Sequence, residues 1–256
     1  MPDISSSNGD SERRDEDSEH LLSHHPEPAE FVELEMGLEV KVEERHGDNW
    51  ARSITLTGVA ILVLTTWFIV IFNGPSKLGW FAFHPLLQTL ALGSFTYGIL
   101  TLQPTSQPIT KAAGFFRHQT AMFFVGFPLI MLGTSSVVYN KYLRGAEHAK
   151  TWHGTLGFTC VSWLLLQIFL GAGSVWKGGA LFGGGAKAKA LWKYHRASGY
   201  VLFPLMMLTA HLGGGWSHWG EKYAGSLVRL IAYTVAPVLI FTGLYVRIRV
   251  SKMKFW

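Results

Sequence analysis

Acidic residues all but disappear from this sequence after residue 48. Of its 17 Asp and Glu, 15 lie at or before Asp48, and only Glu147 and Glu221 follow. Residues 49–256 therefore set 18 Lys and Arg against two acids, a net of +16. Cysteine is nearly absent as well. Cys160 alone excludes an internal disulfide and any cysteine cluster for zinc or iron–sulfur. It sits in an apolar stretch, where a small packed residue is its ordinary role. Charged residues of both signs make up only 15% of the chain and hydrophobic residues 48%, which leans toward a membrane class. No basic run precedes an apolar one at the start, so no signal peptide is expected. The basic residues lie beside and between apolar segments, as membrane-flanking charges do, and nucleic acid is excluded as a partner.

Two regions are expected. Residues 1–48 are polar and acidic and read as a disordered cytoplasmic tail. Within it, Val32, Leu34, Met36, Leu38, Val40 and Val42 alternate with mostly polar residues, a strand period without an obvious partner. Residues 49–256 carry six apolar segments, placed near 53–73, 80–102, 116–139, 153–176, 194–213 and 226–248. Each approaches roughly 20 residues, enough at about 1.5 Å per residue to cross a hydrocarbon core of about 30 Å. In lipid the backbone must satisfy itself, so these are helices. The Gly/Ala/Lys-rich stretch from Gly178 to Leu191 reads as a flexible linker. Its Gly183-Gly184-Gly185 is no phosphate loop, because Lys187 neither follows the second glycine nor precedes Ser or Thr. No internal repeat is evident beyond recurring histidines.

Those histidines organise the rest. Four apolar segments open on one: Phe83-His84-Pro85, Arg117-His118-Gln119, Trp152-His153-Gly154 and Tyr194-His195-Arg196. An ionisable ring inside a membrane segment is a functional hypothesis by default. A single histidine near a helix end is ordinarily an interfacial polar residue, but four at matched depth on alternate helices form a pattern. In an antiparallel serpentine His84 and His153 fall at one face, and His118 and His195 at the other. Each pair lies on second-neighbour helices with room for a flat macrocycle between, and neutral imidazole is a good axial ligand for haem iron. Small residues beside the ligands, Gly154, Gly157, Ala197 and Gly199, suit either a planar guest or close helix packing. The Lys/Arg bias favours cytoplasmic N- and C-termini two to one, with Lys111, Arg117, Lys193 and Arg196 around the inner pair. His211 follows His195 on the same segment by more than four helical turns, so it falls near the outer pair at a different azimuth. There it is either an interfacial ring or a group that serves an acceptor together with Arg144 or Lys150.

In order and spacing, four motifs over about residues 50–250 resemble the cytochrome b561 family: Phe83-His84-Pro85-Leu86-Leu87, Arg117-His118, His153-Gly154-x-x-Gly157 and Tyr194-His195-x-x-Ser198-Gly199. The chain is most similar to the small members called cytochrome b561 domain-containing proteins. The resemblance implies an all-α fold, a six-helix integral membrane bundle holding two b-type haems, with the acidic tail outside it. It implies that His84 and His153 bind one haem b, and His118 and His195 the other. It also implies an enzyme, a transmembrane reductase that takes electrons from a cytosolic donor, often ascorbate, to a lumenal or extracellular acceptor such as monodehydroascorbate or ferric iron. Small-molecule donor and acceptor and the lipid bilayer are the implied partners, and a homodimer is compatible.

Two other readings use the same residues. One is a haem-bearing subunit that anchors a separate dehydrogenase. The other is a transporter with histidines in a proton path, against which no segment carries a carboxylate: Glu147 and Glu221 both fall in outer loops. Asp17-x-x-x-Leu21-Leu22 resembles an endosomal or vacuolar signal, and Lys252-x-Lys254 an endoplasmic-reticulum retrieval signal. Both point to an internal membrane over the plasma membrane.

Overall fold

The structure is a computed structural model that describes residues 46–102 and 107–248. The expected disordered tail up to residue 45, its strand-like alternation and both address signals lie outside the described residues. Among the described residues the regular structure is all helical. Six long helices follow in order: α1 Asp48–Phe72, α2 Phe83–Leu100, α3 Pro108–Leu143, α4 Trp152–Gly179, α5 Trp192–Gly215 and α6 Ser226–Val246.

Two starts come earlier than the apolar pattern indicates. Helix α1 begins at Asp48 instead of near residue 53, with that carboxylate in its first turn where the helix dipole favours negative charge. Helix α3 begins at Pro108, not near residue 116. Proline fits the first helical position because its missing N–H has no partner there anyway.

Four helices are long and apolar enough to cross a membrane: α1, α3, the stretch from α4 to Phe182, and α6. Helices α2 and α5 fall outside that group. Both spend positions on polar groups that face neighbouring helices, His84 and Gln88 in one and His195 and Ser198 in the other.

The linker expected between α4 and α5 is a built crossover. Lys177 (φ 53°), Gly178, Gly179, Gly183 and Gly184 take left-handed conformations that reverse the chain. A short helix, Gly185–Ala190, then folds back so that the fully buried Ala188 rests against Gly179.

Packing divides the molecule into three antiparallel pairs. Helix α1 lies along α6, α2 along α3, and α4 along α5. The first pair is held close by glycines. A side chain at Gly58 would land 2.8 Å from the Ala236 carbonyl oxygen and from Ile240 Cγ1, and one at Gly243 would meet Thr55 and the Ala51 carbonyl. Thr66 and Tyr233 add a buried hydroxyl–hydroxyl bond of 2.9 Å across the same seam. Helix α1 also packs on α2, and α6 on α5, so this pair closes one side of the molecule. The apolar core runs from Leu62 through Leu92 and Phe95 to Met206 and Ile240. The α2–α3 hairpin is not packed backbone to backbone on α4–α5 in the way that helices within each hairpin are. The histidines project into that space.

Candidate functional site

The two expected histidine pairs meet across this space. The rings of His84 and His153 lie 5.9 Å apart between centroids, with planes crossed at 82°. Those of His118 and His195 lie 6.3 Å apart, crossed at 89°. In every ring Nδ1 donates to a backbone carbonyl of the other helix of its own hairpin. The acceptors are Gly133 for His84 (3.0 Å), Gly98 for His118 (3.2 Å), Thr209 for His153 (2.8 Å) and Gln167 for His195 (3.1 Å). A carbonyl only accepts, so the proton sits on Nδ1 and each neutral ring keeps the Nε2 lone pair for a metal. Gly98 and Gly133 let α2 and α3 approach closely enough for this. A Cβ at Gly98 would stand 3.2 Å from Ala121 Cβ, and one at Gly133 3.1 Å from Leu87 Cβ.

Both hairpins repeat one plan. In α4 the interval from His153 to the anchoring Gln167 equals that in α5 from His195 to the anchoring Thr209. In α2 the interval from His84 to Gly98 is the same again, but in α3 the interval from His118 to Gly133 is longer by one. Between those last two lies a π turn, Thr120–Gly126, which takes up the extra residue and returns α3 to register with α2. Ser94 of α2 donates to the Ala121 carbonyl inside that turn, at 2.7 Å. A second π turn, Ile231–Val235 in α6, offers the Tyr233 carbonyl to His211 Nδ1 at 2.8 Å. Neither π turn is legible in the sequence, because nothing in the residue types marks where an extra residue is taken up.

His195 is clamped twice. Gln167 Nε2 donates to the His195 carbonyl at 2.5 Å, while the Gln167 carbonyl takes the ring. Trp163 Nε1 donates to Ser198 one turn further on, at 2.7 Å. The glycines that make room for rings lie on the facing helices. A Cβ at Gly213 would stand 2.5 Å from His153 Cε1, and one at Gly171 2.7 Å from His195 Cε1. The glycines beside the histidines serve other contacts: Gly154 faces Ala149 and Thr151, Gly157 faces Thr209, and Gly199 faces Gln167.

The remaining expected positions scatter. Lys111 and Arg117 are half-buried on α3, and Arg196 lies on α5 next to His195. Lys193 lies over the Tyr194 ring at 5.2 Å. At the opposite end Lys150 pairs with Glu147 at 2.9 Å, and Arg144 is exposed. His211 is tied to α6 through Tyr233 and also lies 3.2 Å from Thr234 Oγ1, and neither Arg144 nor Lys150 bonds to it. A cleft lined by Thr134, Ser135, Tyr139, Tyr142 and His148 opens beside the Gly133 anchor of His84.

The pairs suit a metal macrocycle. Two axial metal–imidazole bonds of about 2 Å each, with each nitrogen on the near side of its ring, put the centroids roughly 6–6.5 Å apart. The His118–His195 separation of 6.3 Å lies within that span, and the His84–His153 separation of 5.9 Å just below it. Two ring nitrogens per metal, without further protein ligands, is the donor set of a bis-histidine haem, whose porphyrin supplies the other four nitrogens. Among the described residues no group of three or more His, Cys, Asp or Glu could hold a bare metal ion.

An all-helical integral membrane protein with two facing imidazole pairs between its hairpins is the class that fold and site define. A family model described as eukaryotic cytochrome b561 matches residues 110–221, which include His118, His153 and His195. Transmembrane reductase CYB561D2 of Bos taurus is 28% identical over 142 residues, covering 54% of this chain and 63% of the relative. The match thus spans a little under two thirds of that relative's length. These matches support a cytochrome b561 family assignment for the chain.

Proposed function

We propose that the chain binds two haems b, one between His84 and His153 and one between His118 and His195, within a bundle of six membrane-crossing helices. We propose further that it moves single electrons across the membrane, from a cytosolic reductant to an acceptor on the far side. The observation that carries this reading is the spacing of two crossed imidazole pairs at 5.9 and 6.3 Å. Haem b, when bound, supplies reversible one-electron exchange between ferric and ferrous iron. The protein's part is to hold four neutral rings by their Nδ1 protons, which fixes the tautomer and raises the basicity of Nε2. The interval from ring to anchor is close to four helical turns, which sets the two levels about 21 Å apart. Each pair then lies within reach of one membrane face.

Helices α2 and α5 complete the crossing set. Their polar positions turn to neighbouring helices and their apolar positions join the common core. The Lys/Arg bias of two to one favours a cytoplasmic His118–His195 end and cytoplasmic termini. Lys111, Arg117, Lys193 and Arg196 give that end a positive field that concentrates an anionic donor. Ascorbate is the donor that the family resemblance implies, with monodehydroascorbate or ferric iron as acceptor. The bovine relative is named a transmembrane reductase, which agrees.

The test is the purified chain in vesicles with ascorbate trapped on the cytosolic face and a ferric chelate outside. Ferric reduction is expected without any added protein. It should slow several-fold in Lys111→Gln plus Arg117→Gln and slow further as salt rises, since the Debye length falls to about 8 Å at physiological ionic strength. A haem-loaded chain that ascorbate leaves oxidised would overturn the donor assignment in favour of a subunit fed by a separate dehydrogenase.

A further inference from the structure

We infer that Ser94 is a positioning residue for His118, acting through the π turn that follows that histidine. The inference rests on the haem reading above. The Ser94 hydroxyl crosses from α2 to donate to the Ala121 carbonyl at 2.7 Å, inside Thr120–Gly126. A helix that passes from i+4 to i+5 bonding changes which N–H each carbonyl of that turn receives. A buried carbonyl left without a donor is costly, so a donor from the neighbouring helix fixes where the extra residue is taken up.

Two α2 neighbours of Ser94 hold the same turn. The Phe95 ring fills the space over Gly126, and a Cβ at Gly98 would stand within 3.4 Å of both Ala121 and Met122. Positions 94, 95 and 98 share one face of α2. Gly98 is also the residue whose carbonyl receives His118 Nδ1. One stripe of α2 therefore locates the π turn and anchors the ring. If the extra residue migrated along α3, the residues it passed would rotate by about 100° each, the angle per residue of an α-helix. His118 would then lose its aim at Gly98 or at His195. The α4–α5 hairpin has no such need. Its two anchor intervals are equal, and no π turn interrupts either helix.

The test is a redox titration of purified holoprotein, with both haems followed by optical and low-temperature EPR spectra. The variants are Ser94→Ala, Ser94→Thr and Thr96→Val. Thr96 is a control: its buried hydroxyl donates only to Leu92 in its own helix. Ser94→Ala should shift one midpoint potential upward, because a loosened Nδ1–H bond makes the imidazole less basic. The component that moves should be the one that His118→Ala abolishes, with the other unchanged. Ser94→Thr should restore it, and Thr96→Val should leave both in place. Should Ser94→Ala fail to accumulate, Ser94→Cys, a weaker donor, carries the same comparison. Two unmoved midpoints, equal movement of both, or equal movement in Thr96→Val would overturn the inference. A wild-type preparation without haem would instead overturn the haem reading beneath it.

Discussion

An imidazole inside a membrane helix has two nitrogens, and the interior offers it few partners. Here one nitrogen of each ring is taken by a carbonyl of the paired helix, so the other is fixed in place and direction. His84, His118, His153 and His195 are visible in the sequence as residue types at recurring positions. The groups that hold them are not, because a carbonyl belongs to every residue and only packing selects the four that serve. Of the two roles open to the glycines beside the rings, Gly157 and Gly199 take helix packing, for a related reason. Glycine next to a histidine in sequence sits on that histidine's own helix, whereas the ring needs space on the helix opposite. Gly171 and Gly213 provide it. Adding one methyl at either position should displace the ring it faces. Gly171→Ala is expected to lose or shift only the haem of His118 and His195, and Gly213→Ala only that of His84 and His153. Difference spectra of the purified variants check this, and equal effects of both substitutions on both haems would contradict it.

Helix positions are legible from the apolar runs, because lipid forces each run to satisfy its backbone internally. Helix starts are less so, since polar first turns at Asp48 and Pro108 extend α1 and α3 beyond their apolar stretches. The composition of the crossover after α4 suggests a loose linker. The same glycines, placed closely in left-handed conformations, instead build a compact reversal that buries Ala188. The outer α1–α6 pair carries no ring of either pair and depends on close approach. Gly58→Leu should therefore lower stability by about 1–3 kcal/mol, the usual cost of overpacking. Folded protein should retain both haem spectra. Thermal unfolding in detergent, followed through the haem bands, measures both outcomes, and loss of one haem without loss of stability would contradict the assignment of α1 and α6 to a closing role.

At the scale of the whole molecule, two hairpins of one design face each other across a gap, and a third pair of helices closes one side. The histidines recur visibly in the sequence, but the repeat they belong to does not show there. It lies in the interval along each helix from its own ring to the carbonyl that anchors the ring of the paired helix, and α3 hides it with one additional residue. Charge completes the arrangement. With only Glu147 and Glu221 beyond residue 48, the helical region carries a large positive excess, and its asymmetry sets the orientation proposed for the two levels. The central claim is that the two ring pairs are two independent haem sites. Haem per chain, measured in wild type and in each His→Ala variant, tests it most directly. Two independent sites require two haems in wild type and one in every single variant. His84→Ala and His153→Ala should lose the same spectral component, His118→Ala and His195→Ala the other, and the double variant His84→Ala/His153→Ala should still hold one. Two haems in all four single variants, or a single variant that empties both sites while the protein stays folded, would contradict it.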